Sequence, residues 1–403
     1  MTHHLPSLAL LIAAAAWSST AQPAQLKGIF VSVQPETAMW SAEEWATDIT
    51  SMAAVGIEFF CVKDVALGSS SGLPTSECPL GIFTAYYPSS LAPCVVPSVS
   101  YGNQTIANVL SGASKAAGNV KVHLGLAQYN QAALDAYYGT PDSYVTRNVA
   151  LMQQYRQLQL AVATELWELY GESGTITGIY TNVEQSNGDF WLPYAQSWSV
   201  NYLEPLASQV KGTLASTLEV WASPYYVLNS TRYPDSSGWQ QQPRLFAELW
   251  ARQLVVWAPS LDWMAPQDSM GAHANSFENV TTFLNAFAEA LDVVENPTAK
   301  QLVSNVDVSL SSMPTFAKKL VSNVELFETW PPECQWPDDC VGRHPAPFDR
   351  IQAQLENECI EPFRCVAWEW FSCLSPNGET TAWRNETKQN YDDYVAYLAA
   401  GSS

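Results

Sequence analysis

The sequence predicts an α/β protein: a single-domain (β/α)8 TIM barrel carrying disulfide-bearing loop insertions. Three observations predict it. Short apolar runs alternate with amphipathic stretches, the rhythm of repeated βα units around a parallel sheet. No Gly/Ser linker or low-complexity tract divides the chain. Its 403 residues also suit one α/β barrel with insertions.

Eight runs read as strands: 26–33 (LKGIFVSV), 56–64 (GIEFFCVKD), 120–127 (VKVHLGLA), 176–184 (ITGIYTNVE), 217–226 (TLEVWASPYY), 261–268 (LDWMAPQD), 320–328 (LVSNVELFE) and 364–371 (RCVAWEWF). Helices are expected between them. Ser41 followed by Glu44 forms a capping-box signature, and the stretch from Arg147 stops at Gly171. Residues 278–294 are amphipathic, and Pro347 stands near the start of another helix over 347–358. The segment 301–310, with Asp307, fits either a strand or a helix.

The first residues have an apolar run from about Leu8 to Trp17, then small residues at Ser19 and Ala21. This predicts a signal peptide over residues 1–21 and a barrel domain over 22–403. The run is too short to span a membrane, and no later run is apolar for long enough, so no membrane partner is expected. Sequons at Asn103, Asn229, Asn279 and Asn385 fit secretion with N-glycosylation.

Eight cysteines, an even number, fit an oxidising compartment. Short spacings favour Cys78–Cys94, Cys334–Cys340 and Cys359–Cys365. Cys61 and Cys373 remain, both in apolar runs, as a further pair or as two buried thiols. No paired CxxC points to structural zinc.

A formal net charge of −21 with scattered Lys and Arg excludes phosphate-backbone recognition, so no nucleic-acid partner is expected. Sixteen Trp and eighteen Tyr exceed what a core needs and point to a surface where flat rings stack on sugar faces. A carbohydrate partner is therefore expected, with no cofactor and a monomer as the default assembly. HExxH and P-loop motifs are absent, and no GxSxG nucleophile elbow is read.

Two strand ends carry the same device, Asn182-Val-Glu184 and Asn323-Val-Glu325. Strand side chains alternate, so each Asn is expected to share a face with its Glu. In a barrel that face opens at the C-terminal ends of the strands. Glycoside hydrolysis needs two carboxyl groups flanking the anomeric carbon, about 5–5.5 Å apart in retaining enzymes. Glu184 and Glu325 are the candidate catalytic pair. Candidate substrate contacts are Asn182, Asn323, Tyr180, Tyr225, Gln267, Asp268, Trp191 and Trp368. Alternation places Trp368 and Trp370 on one face and Glu369 on the other.

By strand count, Glu184 and Glu325 resemble the large glycosidase clan with its acid/base at strand four and nucleophile at strand seven. One departure is Val183, which separates the Asn from the strand-four Glu. Five features in order are also similar to a family of secreted barrels, domain of unknown function 4434 (DUF4434). They are Gly178-x-Tyr180 with Glu184, Ser223-Pro224-Tyr225, Gln267-Asp268 with Gly271, Asn323-x-Glu325-x-Phe327, and 348–356 (FDRIQAQLE) followed by 365–376 (CVAWEWFSCLSP). The likeness runs over about residues 27–376. It implies a glycoside-hydrolase-like barrel and leaves the sugar open. The cysteine-bearing insertions at 68–100 and 331–345 depart from the family and are expected near the cleft.

The expectation is a secreted glycoside hydrolase, with Glu184 as acid/base and Glu325 as nucleophile. The alternative is a non-catalytic carbohydrate-binding extracellular barrel. A metal enzyme using Asp64, Glu184 and Asp268 is less favoured, because no His-rich ligand set accompanies them.

Overall fold

The structure is a computed structural model. It describes residues 23–33, 35–69, 72–99, 102–139, 145, 148–182, 194–226, 243–273, 277–295, 320–330, 342–359, 364–377 and 384–401. Each apolar run becomes a strand shorter than the run itself, because its polar ends turn into loops. The strands are β1 (Leu26–Val31), β2 (Phe59–Val62), β3 (Lys121–Gly125), β4 (Ile176–Tyr180), β5 (Glu219–Ala222), β6 (Trp263–Met264), β7 (Val321–Glu325) and β8 (Arg364–Trp368). They form one parallel eight-stranded sheet in the order β6-β5-β4-β3-β2-β1-β8-β7. Parallel bridges Met264–Leu320 and Gln267–Asn323 join its two edges and close the barrel.

A helix follows each strand: α1 (Ala42–Ala54), α2 (Thr105–Lys115), α3 (Val149–Tyr170), α4 (Glu204–Thr213), α5 (Pro243–Arg252), α6 (Phe277–Glu295), α7 (Phe348–Glu358) and α8 (Arg384–Ala400). The capping box of α1 is formed in both directions between Ser41 and Glu44, satisfying N–H groups the helix itself cannot bond. Pro347 caps α7 and Gly171 ends α3. The segment 301–310, with Asp307, lies outside the described residues.

The barrel lumen corrects the reading of the aromatic surplus. It is filled by rings rather than by the branched aliphatic residues usual in this fold. Phe30 meets Tyr180, Trp221 and Trp368 with centroids 5.1, 5.3 and 4.8 Å apart. Trp221 stacks on Trp263 at 4.0 Å, and Phe59 stacks on His123 at 4.4 Å. Glycines make the room. A Cβ on Gly28 would lie 2.2 Å from the Phe59 ring, and one on Gly178 would lie 2.7 Å from the His123 ring. His123 accepts the Trp221 indole N–H at 3.1 Å, and burial, aided by the Lys121 charge, pushes its pKa down to about 3, so it stays neutral. Trp45, Trp198, Trp250 and Trp370 are buried as well, so much of the surplus is core.

The insertion after β2 contributes strands over Ala66–Gly68, Phe83–Ala85 and Val95–Pro97 to a small separate sheet, completed by Ala127–Gln128 just after β3. It continues from the C-terminal ends of β2 and β3, the side where the cleft was expected. The Cys78–Cys94 disulfide staples it, and Glu165 of α3 accepts hydrogen bonds from Ser89 and Ser90. Cys359–Cys365 joins the end of α7 to the start of β8. Both match the spacing argument. Cys61 and Cys373 are buried free thiols, and Cys334 and Cys340 lie outside the described residues. No described helix is long and apolar enough to cross a membrane.

Asp48 fastens α1 to the segment after β8. Its fully buried carboxylate accepts from Trp370 Nε1, Ser375 Oγ (2.9 Å) and Asn377 Nδ2 (3.2 Å). Burial outweighs these donors and pushes its pKa up to about 6. A carboxyl raised in the folded state stabilises at low pH and loses that contribution as pH rises through about 6. Relative to Asp48→Asn, the wild type is therefore expected to lose about 2–3 kcal/mol between pH 4 and pH 7. Urea midpoints of both proteins at the two pH values check this. Parallel pH dependence in the two proteins contradicts it.

Candidate active site

Glu325 is the last residue of β7 and is 3% exposed. Its main chain is held on both sides. Its N–H donates to Asp268 Oδ1 (3.2 Å), and its carbonyl accepts from Arg350 Nη2 (3.0 Å) and Gln354 Nε2 (3.3 Å). Arg350 also donates to the Phe327 carbonyl (2.5 Å) and pairs with Glu328 (3.2 Å). A Cβ on Gly271 would sit 3.1 Å from Glu325 Oε2 and 2.2 Å from the Phe327 carbonyl oxygen. The Gly of the Gln267-Asp268-x-x-Gly271 motif thus allows close passage beneath this carboxylate.

Asp268, just beyond β6, is fully buried. Besides the Glu325 N–H, it accepts from Met270 N (3.1 Å) and Gln354 Nε2 (2.5 Å). Glu358 of α7, 1% exposed, neighbours the Asp268 carboxyl and accepts from Ser322 Oγ at 2.7 Å. Burial raises both carboxyls above the usual range. Asp268 is opposed by the Met270 N–H and the Arg350 charge, and Glu358 is raised further by Asp268.

Arg350, Gln354 and Glu358 did not stand out in the sequence. Their spacing of four places them on one face of α7. Gln354 and Glu358 share that helix's buried stripe with Ile351 and Leu355. Polar residues at i and i+4 inside an apolar stripe were the available signal.

At the other strand ends the alternation rule stops early. β4 ends at Tyr180, and Asn182 adopts a left-handed φ of 48°, so its face does not determine that of Glu184. Asn182 Nδ2 donates to Asp64 Oδ1 (2.5 Å) and to the Leu126 carbonyl (2.9 Å), tying together the segments that follow β2, β3 and β4. Glu184 and Trp191 lie outside the described residues. Asn323 Nδ2 donates to Ser223 Oγ at 2.8 Å. Gln267 bridges Tyr225 and Asn323, and its amide reaches the Ser223 carbonyl at 3.3 Å. Tyr180 is buried against Phe30 and Trp221, and Tyr225 is half-buried.

Trp368 is the register partner of Glu325 across the β7–β8 pair, with Lys63 Nζ 4.4 Å above its ring. The expectation that Trp370 shares its face is corrected. β8 ends at Trp368, and Trp370 opens a helical turn over Trp370–Cys373, its indole bonded to Asp48 of α1. Between them Glu369 accepts from Ser32 N (3.2 Å) and Ser372 Oγ (3.0 Å). Burial raises its carboxyl, and those donors, Lys63 and Arg343 act the other way. At the opposite end, a cavity of about 830 Å³ lies among the strand starts, bordered by Lys27, Glu58, Lys121, Glu219 and Arg364. Barrel enzymes carry their chemistry at the C-terminal face, so this cavity is not the candidate site.

The family profile of DUF4434, described as a domain of unknown function, matches residues 26–380. This chain belongs to that family. The match of DUF4434 spans every barrel strand, from Leu26 to Trp368. Among solved structures, this DUF4434 barrel is similar to a candidate alpha-L-fucosidase from Bacteroides thetaiotaomicron VPI-5482. The TM-score is 0.61 at 17% identity, covering 99% of this chain and 98% of that one. A family GH18 chitinase from Cycas revoluta (TM-score 0.45, 10% identity, 94% and 100% covered) matches more loosely. So does an intracellular xylanase from Thermoanaerobacterium saccharolyticum (0.40, 11%, 86% and 88%). No protein of curated function matches the chain. At these identities the likeness establishes the fold, a glycosidase-like TIM barrel.

Proposed function

We propose that this DUF4434 barrel is a secreted, retaining glycoside hydrolase, with Glu325 as nucleophile and Glu184 as acid/base. The observation that carries the reading is the clamp on Glu325. Its carboxylate stands at the C-terminal face of the barrel with its main chain held by Asp268, Arg350 and Gln354. A nucleophile is useful only when held near its attack geometry, and such support removes reorganisation from the reaction step. Trp368 pairs with Glu325 across β7–β8, its ring packed against Phe30 and lying under Lys63. The fold shared with the bacterial candidate alpha-L-fucosidase agrees with carbohydrate chemistry, but its sugar is not carried over. Two disulfides, the apolar leader over 1–21 and an exposed sequon at Asn385 support export.

One observation favours the second reading, a non-catalytic carbohydrate-binding barrel. Asn182 and Asn323 both direct their amide N–H groups to protein acceptors rather than outward. Trapping separates the two readings. A panel of 2-deoxy-2-fluoro aryl glycosides should leave one covalent glycosyl group on the peptide containing Glu325, detected by mass. A label on another residue, or turnover with inverted anomeric configuration by NMR, contradicts the assignment. Glycan binding without any label or turnover favours the second reading.

A further inference from the structure

We propose that Asp268 and Glu358 share a single proton, carried by Glu358 and donated to Asp268, and that this paired acid positions Glu325 for attack. The positioning half rests on the hydrolytic reading above; the shared proton does not. Two neighbouring carboxyls, both removed from water, with Gln354 one helical turn before Glu358 donating to Asp268, cannot both be ionised without leaving like charges close together in a low-dielectric interior.

The hydrogen bonds decide which of the two holds the proton. Asp268 Oδ1 accepts from the N–H groups of Glu325 and Met270, and Oδ2 accepts from Gln354 Nε2. Both oxygens face donors, so Asp268 is the ionised member. On Glu358, Oε2 accepts from Ser322 Oγ, whereas buried Oε1 accepts from no donor. A buried carboxyl oxygen with no donor facing it, beside a filled carboxylate, is where a hydroxyl belongs. Burial displaces both carboxyls upward, as a pair that keeps one proton requires.

Among the described residues, charged and titratable groups facing the pair include Arg350 on α7, Glu325 at the end of β7, and the Tyr226 phenol beyond β5. Arg350 offsets the one negative charge of a singly protonated pair. Removing the shared proton would set a second charge against Asp268, the group that holds the Glu325 N–H. Asp268 and Glu358 are thus positioning residues, acting on the nucleophile through its main chain.

Infrared spectroscopy with 13C-labelled Glu side chains reads the proton directly, without any substrate. At pH 8 the wild type should show the C=O stretch of a protonated glutamic acid. The band should vanish in Glu358→Gln and persist in Glu325→Gln. A wild type without it at pH 8, or a band unchanged in Glu358→Gln, overturns the proposal. If Glu358→Gln does not fold, the pH titration of the wild-type band decides alone: loss below pH 6 overturns the shared proton. Because burial raises the Glu358 pKa in the folded state, its contribution to stability is lost as pH rises above the usual carboxyl range. The wild type should therefore lose stability relative to Glu358→Gln as pH rises.

The kinetic arm reads positioning. Asp268→Asn should lower kcat about 10²-fold with KM little changed, the cost of a nucleophile misplaced by about 1 Å. Glu358→Gln should move the alkaline limb of the kcat profile to higher pH. An unshifted limb, or an Asp268→Asn defect confined to KM, overturns the positioning role. A labelled band in a protein that turns over no glycoside leaves the shared proton standing and removes the hydrolytic reading.

Discussion

Replacing Glu325 by Gln is expected to lower kcat on an aryl glycoside at least about 10³-fold while the protein stays folded. The side chains have nearly the same shape. The contacts that fix this residue reach its main chain, from Asp268 below and from Arg350 and Gln354 above. Stability should therefore change by less than about 1.5 kcal/mol, readable as a small shift of the urea midpoint at constant slope. The amide cannot form the glycosyl ester, so the covalent step is lost. Glu325→Ala leaves space for azide to attack in place of the carboxylate. Its product should be a glycosyl azide with the anomeric configuration opposite to that of the substrate. Glu184→Ala should differ in kind. It should slow substrates with poor leaving groups most, by about 10²–10⁴-fold. With azide it should give a product of retained configuration, because the glycosyl-enzyme still forms on Glu325. Near-wild-type turnover by Glu325→Gln, or azide products of the same configuration from both variants, would sink the assignment.

The barrel was legible in the sequence because each strand needs a run of residues buried on both faces, and few other folds repeat that demand eight times with helices between. The ends of the strands were harder to read. Alternation is a property of extended backbone, and it fails at the first residue that leaves that conformation. It served for Asn323 and Glu325, both inside β7, and failed at Asn182, whose φ is positive. The same limit explains Trp370, read as a strand residue but lying in the turn after β8. The DUF4434 motif glycine, Gly271, was visible as a letter, while its reason is a close passage between segments more than fifty residues apart, which no local pattern encodes. Aromatic content misled differently, since composition counts rings without saying which face they occupy. The pairing of Gly28 with Phe59 and of Gly178 with His123 is cross-strand information. Short cysteine spacings were readable because small loops close with little choice, as at Cys78–Cys94 and Cys359–Cys365.

Gly125→Ala is expected to be the most destabilising single-methyl addition in the barrel. Gly125 ends β3, where its carbonyl accepts from Val65 N at 2.9 Å as the chain leaves β2. An added Cβ would fall 1.7 Å from the Lys63 carbonyl oxygen, 2.5 Å from its carbon and 2.8 Å from the Val62 oxygen. All three obstacles are backbone, so no rotamer change relieves them. The strands must separate, and β2 is hydrogen-bonded on its far side to β1. Overpacking of this kind costs about 3 kcal/mol or more, a large share of the roughly 5–15 kcal/mol that holds a typical fold. Lys63 and Asp64 lie on the segment that must shift. The Lys63 contact with Trp368 and the Asn182 bond to Asp64 should therefore loosen together. Gly212→Ala is the matched control. It lies in α4, where an added Cβ meets nothing within 4 Å, and it should stabilise by about 0.5–1 kcal/mol. Urea unfolding of the two variants should therefore move in opposite directions. A Gly125→Ala midpoint within error of the wild type would mean that β2 and β3 do not approach as closely as described.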